Sequence, residues 1–217
     1  MKPALYLFDL DGTLVDSAPD LAASANNLRT AQGLEPMPYE LLRPAASSGA
    51  RGLLGTAFGI TPSDESYAEL EKAFLDYYQE HLADHAQLFP GIAEVLEGIT
   101  QRGASWGIVT NKYTRFTVPL LKALNLNPQT LVCGDTINRR KPFPDPVMHA
   151  IWELDAENNE TIYVGDDIRD IQAAHAAGIP GLVASWGYLG SKEPIEEWHA
   201  DRILSTPIEL LDLELPL

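Results

Sequence analysis

Apolar and polar positions divide the chain into two rhythms. The first fifteen residues hold one short apolar run, Leu5-Tyr6-Leu7-Phe8, which stops at Asp9 and Asp11 and is followed by Gly12 and Thr13. A run without a polar face, cut off so sharply, predicts a buried strand. Ser17-Ala18-Pro19-Asp20 then carries the marks of a helix start: a capping hydroxyl, a proline in the first turn and an acid three residues after the cap. Ala18, Leu21, Ala22, Ala25 and Leu28 recur at helical spacing, and Gly33 closes the segment. A second helix is expected within Tyr39 to Arg43 and a third around Leu53, Leu54 and Phe58. A longer fourth runs along Tyr67, Leu70, Phe74, Tyr77 and His81. Between Asp16 and about Ala86 no stretch reads as a strand.

From Gly91 onward helices and strands alternate. Ile92, Val95, Leu96 and Ile99 predict a helix, and 104–110 a strand. Val118, Leu121 and Leu124 mark the next helix, Leu131-Val132-Cys133 a short strand, and Val147, Ala150, Ile151 and Leu154 a further helix. Thr161-Ile162-Tyr163-Val164 reads as a strand, Ile168 to Ala177 as a helix ending at Gly178, and Gly181-Leu182-Val183-Ala184 as the last clear strand. Strands without a polar face, alternating with helices, imply a parallel sheet covered on both sides. The expected fold is α/β: a doubly wound, Rossmann-like parallel-sheet core made of 1–15 and 86–217. An all-helical cap, 16–85, is inserted after the first strand.

Composition narrows the function classes. The 217 residues carry 31 acidic against 15 basic side chains, a formal charge of -16, with no basic stripe. Such a field argues against a nucleic-acid partner. No apolar run is long enough to span a bilayer, and the first residues lack the cleavage pattern of a signal peptide. No membrane partner and a cytoplasmic location are therefore expected; a monomer or weak homodimer is the oligomeric expectation, which nothing in the sequence fixes. Cys133 is the single cysteine, which excludes an internal disulfide or a cysteine metal knot.

Doubly wound sheets bind ligands outside the carboxyl ends of their strands, and there this sequence places its polar residues. Asp9 and Asp11, two apart on an extended segment, point to one side and repel unless a cation or a shared proton compensates. Solvated acids in an edge-strand loop are the alternative. The second core strand ends in Thr110-Asn111-Lys112, whose hydroxyl and amide N–H groups can hold phosphate oxygens where a helix opens. Beyond the third lies Arg139-Arg140-Lys141-Pro142-Phe143-Pro144-Asp145-Pro146. The fourth runs into Gly165-Asp166-Asp167-Ile168-Arg169-Asp170. Taken singly, Thr110 and Lys141 fit a strand-end hydroxyl and a solvated lysine, while Asp166 and Asp167 fit helix N-caps. Four such pieces in this order make coincidence the weaker reading.

Asp9-Leu10-Asp11-Gly12-Thr13 resembles the DxDGT signature of haloacid-dehalogenase-type (HAD) phosphatases, and the four pieces are similar to the four motifs of that superfamily across the whole chain. The resemblance implies that Asp9 is a nucleophile forming an aspartyl-phosphate, with Asp11 as general acid and then general base. It implies that Thr110 and Lys141 bind the oxygens of the transferred group, with Asn111 beside them. It also implies Mg²⁺ held by Asp9, Asp166 and the backbone carbonyl of Asp11. Asp170 and Asp167 would support the acidic site, Asp167 standing where many relatives carry a small hydroxyl residue. The acid at Asp11 departs from the dehalogenases of the superfamily, and the lack of membrane spans departs from its cation pumps. Phosphomonoester hydrolysis, or phosphate transfer within a sugar, remains.

In the cap, Pro44-Ala45-Ala46-Ser47-Ser48-Gly49-Ala50-Arg51-Gly52 combines small residues that admit a ligand close to the backbone with a guanidinium fork suited to a carboxylate. A flexible turn with one solvated arginine is the alternative. The segment is similar to the substrate loop of phosphoglycolate phosphatases, which makes Ser48, Gly49 and Arg51 candidate substrate-binding residues. Together with 109–112, 164–170 and Trp186-Gly187-Tyr188 it looks closer still to the N-acetylmuramic acid 6-phosphate phosphatase branch. The resemblance thus implies a Mg²⁺-dependent phosphatase whose partner is a small carboxylate-bearing phosphate ester, 2-phosphoglycolate or N-acetylmuramic acid 6-phosphate. A β-phosphoglucomutase-like mutase and a catalytically inactive metabolite-binding relative are the alternatives. Phe74, Tyr77 and Tyr78 are expected to pack the cap, Trp152 and Trp198 to anchor the structure, and Trp186-Gly187-Tyr188 to edge the site. The five histidines show no ligand spacing.

Overall fold

The structure, a computed structural model, describes residues 1–190 and 193–216. The chain builds β1 (Leu5–Phe8) and a two-residue strand β2 (Val15–Asp16), then four helices: α1 (Ala18–Ala31), α2 (Tyr39–Leu42), α3 (Gly49–Phe58) and α4 (Tyr67–His81). It returns through β3 (Gln87–Leu88), antiparallel to β2. There follow α5 (Ile92–Gln101), β4 (Ser105–Val109), α6 (Thr114–Ala123), β5 (Thr130–Val132), α7 (Asp145–Glu153) and β6 (Thr161–Gly165). The last elements are α8 (Ile168–Ala176), β7 (Gly181–Ala184) and β8 (Arg202–Leu204).

Six strands form one parallel sheet in the order β5-β4-β1-β6-β7-β8. Counted along the chain this is the 3-2-1-4-5-6 order of dinucleotide-binding sheets, whose topological switch point lies beside the first strand. Alternation along β1 explains its unbroken apolar run. Tyr6 and Phe8 join a buried cluster with Ile92, Val95 and Ile99 of α5, whereas Leu5 and Leu7 join another with Val147 and Ile151 of α7 and Ala173 of α8. Both faces of the strand are dry, as in parallel sheets generally. The fold is α/β and Rossmann-like.

The helical segment is joined to the sheet by the β2–β3 ribbon. Asp20, fully buried in the first turn of α1, accepts hydrogen bonds from the backbone N–H groups of His85 (3.0 Å) and Ala86 (2.9 Å), so the outgoing and returning strands are tied together. Above the ribbon Leu21, Ala25, Leu53, Leu54, Phe74 and Tyr78 are buried as one cluster continuous with the sheet face. Each large apolar side chain so buried contributes about 1.5–3 kcal/mol.

Several elements differ from expectation. The ribbon is too short to show a period, and β8 buries only Leu204 while Arg202 and Ile203 face solvent, as a short guarded edge strand does. α3 begins at Gly49, so Ser48, Gly49 and Arg51 lie where a 3₁₀ turn (Arg43–Ser48) passes into a helix. Trp198 is packed against Ile171 and Val183, but Trp152 is 75% exposed, with only the His149 ring beside it among the described ring contacts. It follows Ile151 on α7, and one residue along a helix turns a side chain off the buried face. Among the described residues no helix is long and apolar enough to cross a membrane.

Candidate active site

The β1–β6 ladder continues one step past the strand, where the Asp9 N–H donates to the Val164 carbonyl at 2.9 Å. That bond brings the end of β1 alongside the segment after β6. One carboxylate oxygen from each of Asp9, Asp166 and Asp170 lies within 4.8 Å of the others. Asp166 accepts from the Thr13 hydroxyl (3.0 Å) and from the backbone N–H of Tyr188 (2.8 Å). Space around it is guarded by glycine: a Cβ on Gly12, whose φ is +85°, would stand 2.1 Å from Asp166 Oδ2, and one on Gly187 2.2 Å from Asp166 Cβ. Asp170 closes a capping box at the start of α8, accepting the Asp167 N–H at 3.0 Å.

Lys141 reaches into this cluster almost entirely buried, its Nζ 2.7 Å from Asp170 Oδ1 and 2.9 Å from Asp9 Oδ1. It also donates to the Tyr163 hydroxyl (2.8 Å), which donates onward to the Val109 carbonyl (2.6 Å). Burial works against the lysine's charge, but Asp170 and Asp9 outweigh it and hold its pKa above the ordinary value. Burial also pushes the Asp166 carboxyl far above the carboxylate range, with Asp9 and Asp170 adding to it. Asp170 is likewise raised, chiefly by burial, against the pull of Lys141. Asp9 Oδ1 sits at ion-pair distance from Lys141 yet, among the described residues, receives no aligned hydrogen bond, a buried oxygen without a hydrogen-bond partner. Three buried or half-buried carboxyl groups around one ammonium cannot all ionise without further positive charge. An all-oxygen donor set with that deficit and an orphaned oxygen fits a divalent cation.

Asp11 turns away from this cluster. Lys112 Nζ contacts both its oxygens (2.9 and 3.2 Å), and the Ser17 hydroxyl donates to Oδ1. Thr110 is buried at the end of β4 and accepts the Lys112 N–H at 3.2 Å. Asn111 is engaged with the main chain of Lys141, donating to its carbonyl (3.0 Å) and accepting its N–H (3.1 Å), which fixes where that lysine leaves the backbone.

A cavity of ≈ 310 Å³ lies over these groups. Asp9, Asp11, Thr110, Asn111 and Lys141 line it from the sheet side, and Ser48, Gly49 and Arg51 from the helical side. Leu21, Phe74, Leu75 and Phe116 supply an apolar wall. Arg51 is exposed and, among the described residues, forms no ion pair or hydrogen bond. Asp167 belongs to the rim rather than to the carboxylate cluster: it caps α8 through the Arg169 N–H, pairs with the Arg169 guanidinium at 2.7 and 2.9 Å, and accepts from the Ser47 hydroxyl at 2.6 Å. Those partners outweigh burial and hold its carboxyl below the ordinary value. Arg169 also donates to the Ser47 carbonyl (2.8 Å), and Arg43 donates to the carbonyls of Gly187 (3.1 Å) and Trp186 (3.3 Å) while lying over the Tyr188 ring.

Some of these residues escape a reading of the sequence. Tyr78 packs among the helices as expected, stacked on Phe74, but it also lines the cavity and accepts from Lys112 at 2.6 Å. Trp186, Gly187 and Tyr188 stand behind Asp166 rather than at the cavity edge. Tyr163 carried a usable signal, since a hydroxyl in an otherwise apolar buried strand demands a partner. Lys112, Arg43 and Arg169 carried none.

Comparison with known proteins places the chain in a family. The family model for haloacid dehalogenase-like hydrolases matches residues 6–184. The N-acetylmuramic acid 6-phosphate phosphatase of Pseudomonas aeruginosa is 37% identical over 98% of this chain and 95% of its own. The phosphoglycolate phosphatase of Xanthomonas campestris pv. campestris is 41% identical over 96% of this chain and 95% of its own. A crystal structure described as a predicted phosphoglycolate phosphatase from Haemophilus somnus 129pt matches with a TM-score of 0.86 at 28% identity, covering 98% of each chain. The chain belongs to the haloacid dehalogenase-like hydrolases and is a phosphoric monoester hydrolase of that family.

Proposed function

We propose that this phosphatase is Mg²⁺-dependent and acts through Asp9 on a small phosphate monoester that also bears a carboxylate. The observation that carries the reading is Asp9 itself, on the cavity floor, with a buried oxygen beside Lys141 that lacks a hydrogen-bond partner among the described residues. Asp9 attacks phosphorus as the bond to the leaving oxygen breaks, and Asp11 gives that oxygen a proton. Asp11, now a carboxylate, takes a proton from water as the water oxygen attacks phosphorus. The bond to Asp9 then breaks, releasing phosphate. Thr110 and Lys141 hold the transferred group, with Asn111 fixing the backbone of Lys141. Asp9, Asp166 and the Asp11 carbonyl would hold Mg²⁺, with Asp170 adjoining, and the cation would supply charge neutralisation for the phosphoryl oxygens. We take 16–85 as a cap seated on a core of 1–15 and 86–217, excluding water from the cavity.

Arg51, exposed on the cavity wall and unpaired, is the group we assign to the substrate carboxylate, with Ser48 and Gly49 beside it. The ≈ 310 Å³ cavity and its wall of Leu21, Phe74, Leu75 and Phe116 are roomier and more apolar than a two-carbon ester requires. This favours N-acetylmuramic acid 6-phosphate over 2-phosphoglycolate. The test is phosphate release with Mg²⁺ from both esters and from plain sugar phosphates, using Asp9→Asn as control. The lactyl-bearing sugar phosphate should be preferred and the control inert. Arg51→Ala should weaken carboxylate-bearing esters by about 10–100-fold, the worth of a charged hydrogen bond, and spare plain sugar phosphates. Equal losses on every ester would remove the carboxylate role from Arg51.

A further inference from the structure

The chemistry above leaves Lys112 without a task, although it is among the most constrained side chains of the cavity. Its side chain is 8% exposed. An ammonium has three donors and no acceptor, and here all of them point at named partners. Nζ lies 2.9 and 3.2 Å from the two oxygens of Asp11 and 2.6 Å from the hydroxyl of Tyr78, on α4. Burial disfavours the charge of Lys112, but Asp11 and Tyr78 more than offset it, so the ammonium persists. Burial pushes Tyr78 up to about 12, so it remains a phenol that accepts from the lysine.

One side chain therefore grips a carboxylate at the end of β1 and a hydroxyl on a helix across the cavity. Resting on the reading of Asp11 as acid and base, we propose that Lys112 is a positioning residue: it aims the Asp11 carboxylate into the cavity and makes that aim depend on α4 being seated over the sheet. Without it, the one side-chain partner left to Asp11 among the described residues is the Ser17 hydroxyl, on Oδ1, and Oδ2 has no fixed direction. A broad terminal torsion then sets the carboxylate, and a displacement of about 1 Å at a reacting group costs on the order of 10²-fold in rate. The step most exposed is the second. Asp11 must take the proton of the attacking water while the new oxygen–phosphorus bond forms and the bond to Asp9 breaks.

p-Nitrophenyl phosphate separates the two steps, because its leaving group departs without an acid whereas hydrolysis of the phosphorylated Asp9 still needs a base. In Lys112→Met with Mg²⁺ we expect a burst of about one p-nitrophenolate per enzyme followed by turnover on the order of 10²-fold below the unsubstituted enzyme. Tyr78→Phe, which keeps the ring and loses the hydroxyl, should shift turnover the same way by several-fold. It carries the test if Lys112→Met does not fold. Added to Asp11→Asn, either change should alter the rate by no more than about two-fold, since the residue each acts through is gone. A loss of equal factor with and without Asp11, or a rise in KM alone, would make Lys112 a direct substrate ligand and overturn the proposal; so would unchanged turnover. If Asp9→Asn or Asp11→Asn keeps full activity, the catalytic reading fails instead, whatever Lys112 does.

Discussion

Exchanging Asp166 for Asn removes an ionisable group from the carboxylate cluster at almost constant shape, and the structure sets both the sign and the size of the consequence. Asp166 is buried, and burial followed by Asp9 and Asp170 holds its carboxyl far above its ordinary value of 3.8. Its oxygens accept from Thr13 Oγ1 and from the Tyr188 N–H. In the variant the amide oxygen keeps Tyr188, and the new NH₂ faces a hydroxyl that can rotate to accept. No hydrogen bond is lost, while the cost of holding a proton on a carboxyl that would ionise in the unfolded chain disappears. Each pKa unit by which the folded state raises a carboxyl costs about 1.4 kcal/mol at a pH above both values, and the amide bears none of it. In a chain of this length about 1 kcal/mol moves Tm by about 2–4 °C. Thermal melts in EDTA near neutral pH should therefore place Asp166→Asn roughly 5 °C above the unsubstituted protein. A carboxyl raised in the folded state contributes stability below its unfolded value and loses it as pH rises through the folded one. The gap should thus open from about pH 4 upward and close in acid. Mg²⁺ should reverse the ranking, because the unsubstituted protein gains about 2.7 kcal/mol at a hundredfold excess over Kd and the variant gains little. A metal-stripped variant that melts below the unsubstituted protein at neutral pH would refute the charge argument. An equal gain from Mg²⁺ in both would refute the assignment of Asp166 as a ligand.

Two further substitutions probe the same cluster from its other sides. Lys141→Met should lose on the order of 10²–10³-fold in kcat. It should also unfold about 3–5 kcal/mol more easily, because buried Asp170 and half-buried Asp9 are left without their cation; urea titration with and without Mg²⁺ reads the second effect. Gly187→Ala drives a methyl to 2.2 Å from Asp166 Cβ and 2.5 Å from the Gly12 carbonyl, so Asp166 must shift. Mg²⁺ activation should weaken at least tenfold, and an unchanged activation curve would show that the cluster tolerates displacement.

The fold was legible where one kind of physics acted alone. Strands buried on both faces, such as β1 and β6, leave unbroken apolar runs between amphipathic helices, and the α/β sheet follows from them. The start of α3 was not legible, because Ser48, Gly49 and Gly52 are small polar or turn-forming residues with no period of their own. Gly52 is required there by packing, since a Cβ would stand 2.4 Å from the Ala45 carbonyl. Asp20 shows the limit of local rules. An acid in a helix's first turn reads as support for the helix dipole, and only the returning chain at His85 and Ala86 reveals it as the clasp of the ribbon.

The site divides along the same line. Asp9, Thr110, Lys141 and Asp166 converge because a doubly wound sheet sends every strand end to one edge, so their order in the sequence already implies a meeting place. The bonds that seat the helices over that edge obey no such rule: Ser47 meets Asp167, Arg43 meets Tyr188, and Lys112 meets Tyr78. Yet each sheet-side partner is a chain neighbour or a hydrogen-bond partner of a site residue. Asp167 follows Asp166, Tyr188 gives Asp166 its N–H, and Lys112 accompanies Thr110 and grips Asp11. A force that lifts the helical layer must therefore pull on the segments that hold the carboxylates. Asp167 expresses this most directly. One side chain caps α8, binds Arg169 and accepts from Ser47, so this carboxylate is occupied in fastening the 3₁₀ turn of the helical layer immediately beside the Asp9–Asp166–Asp170 cluster.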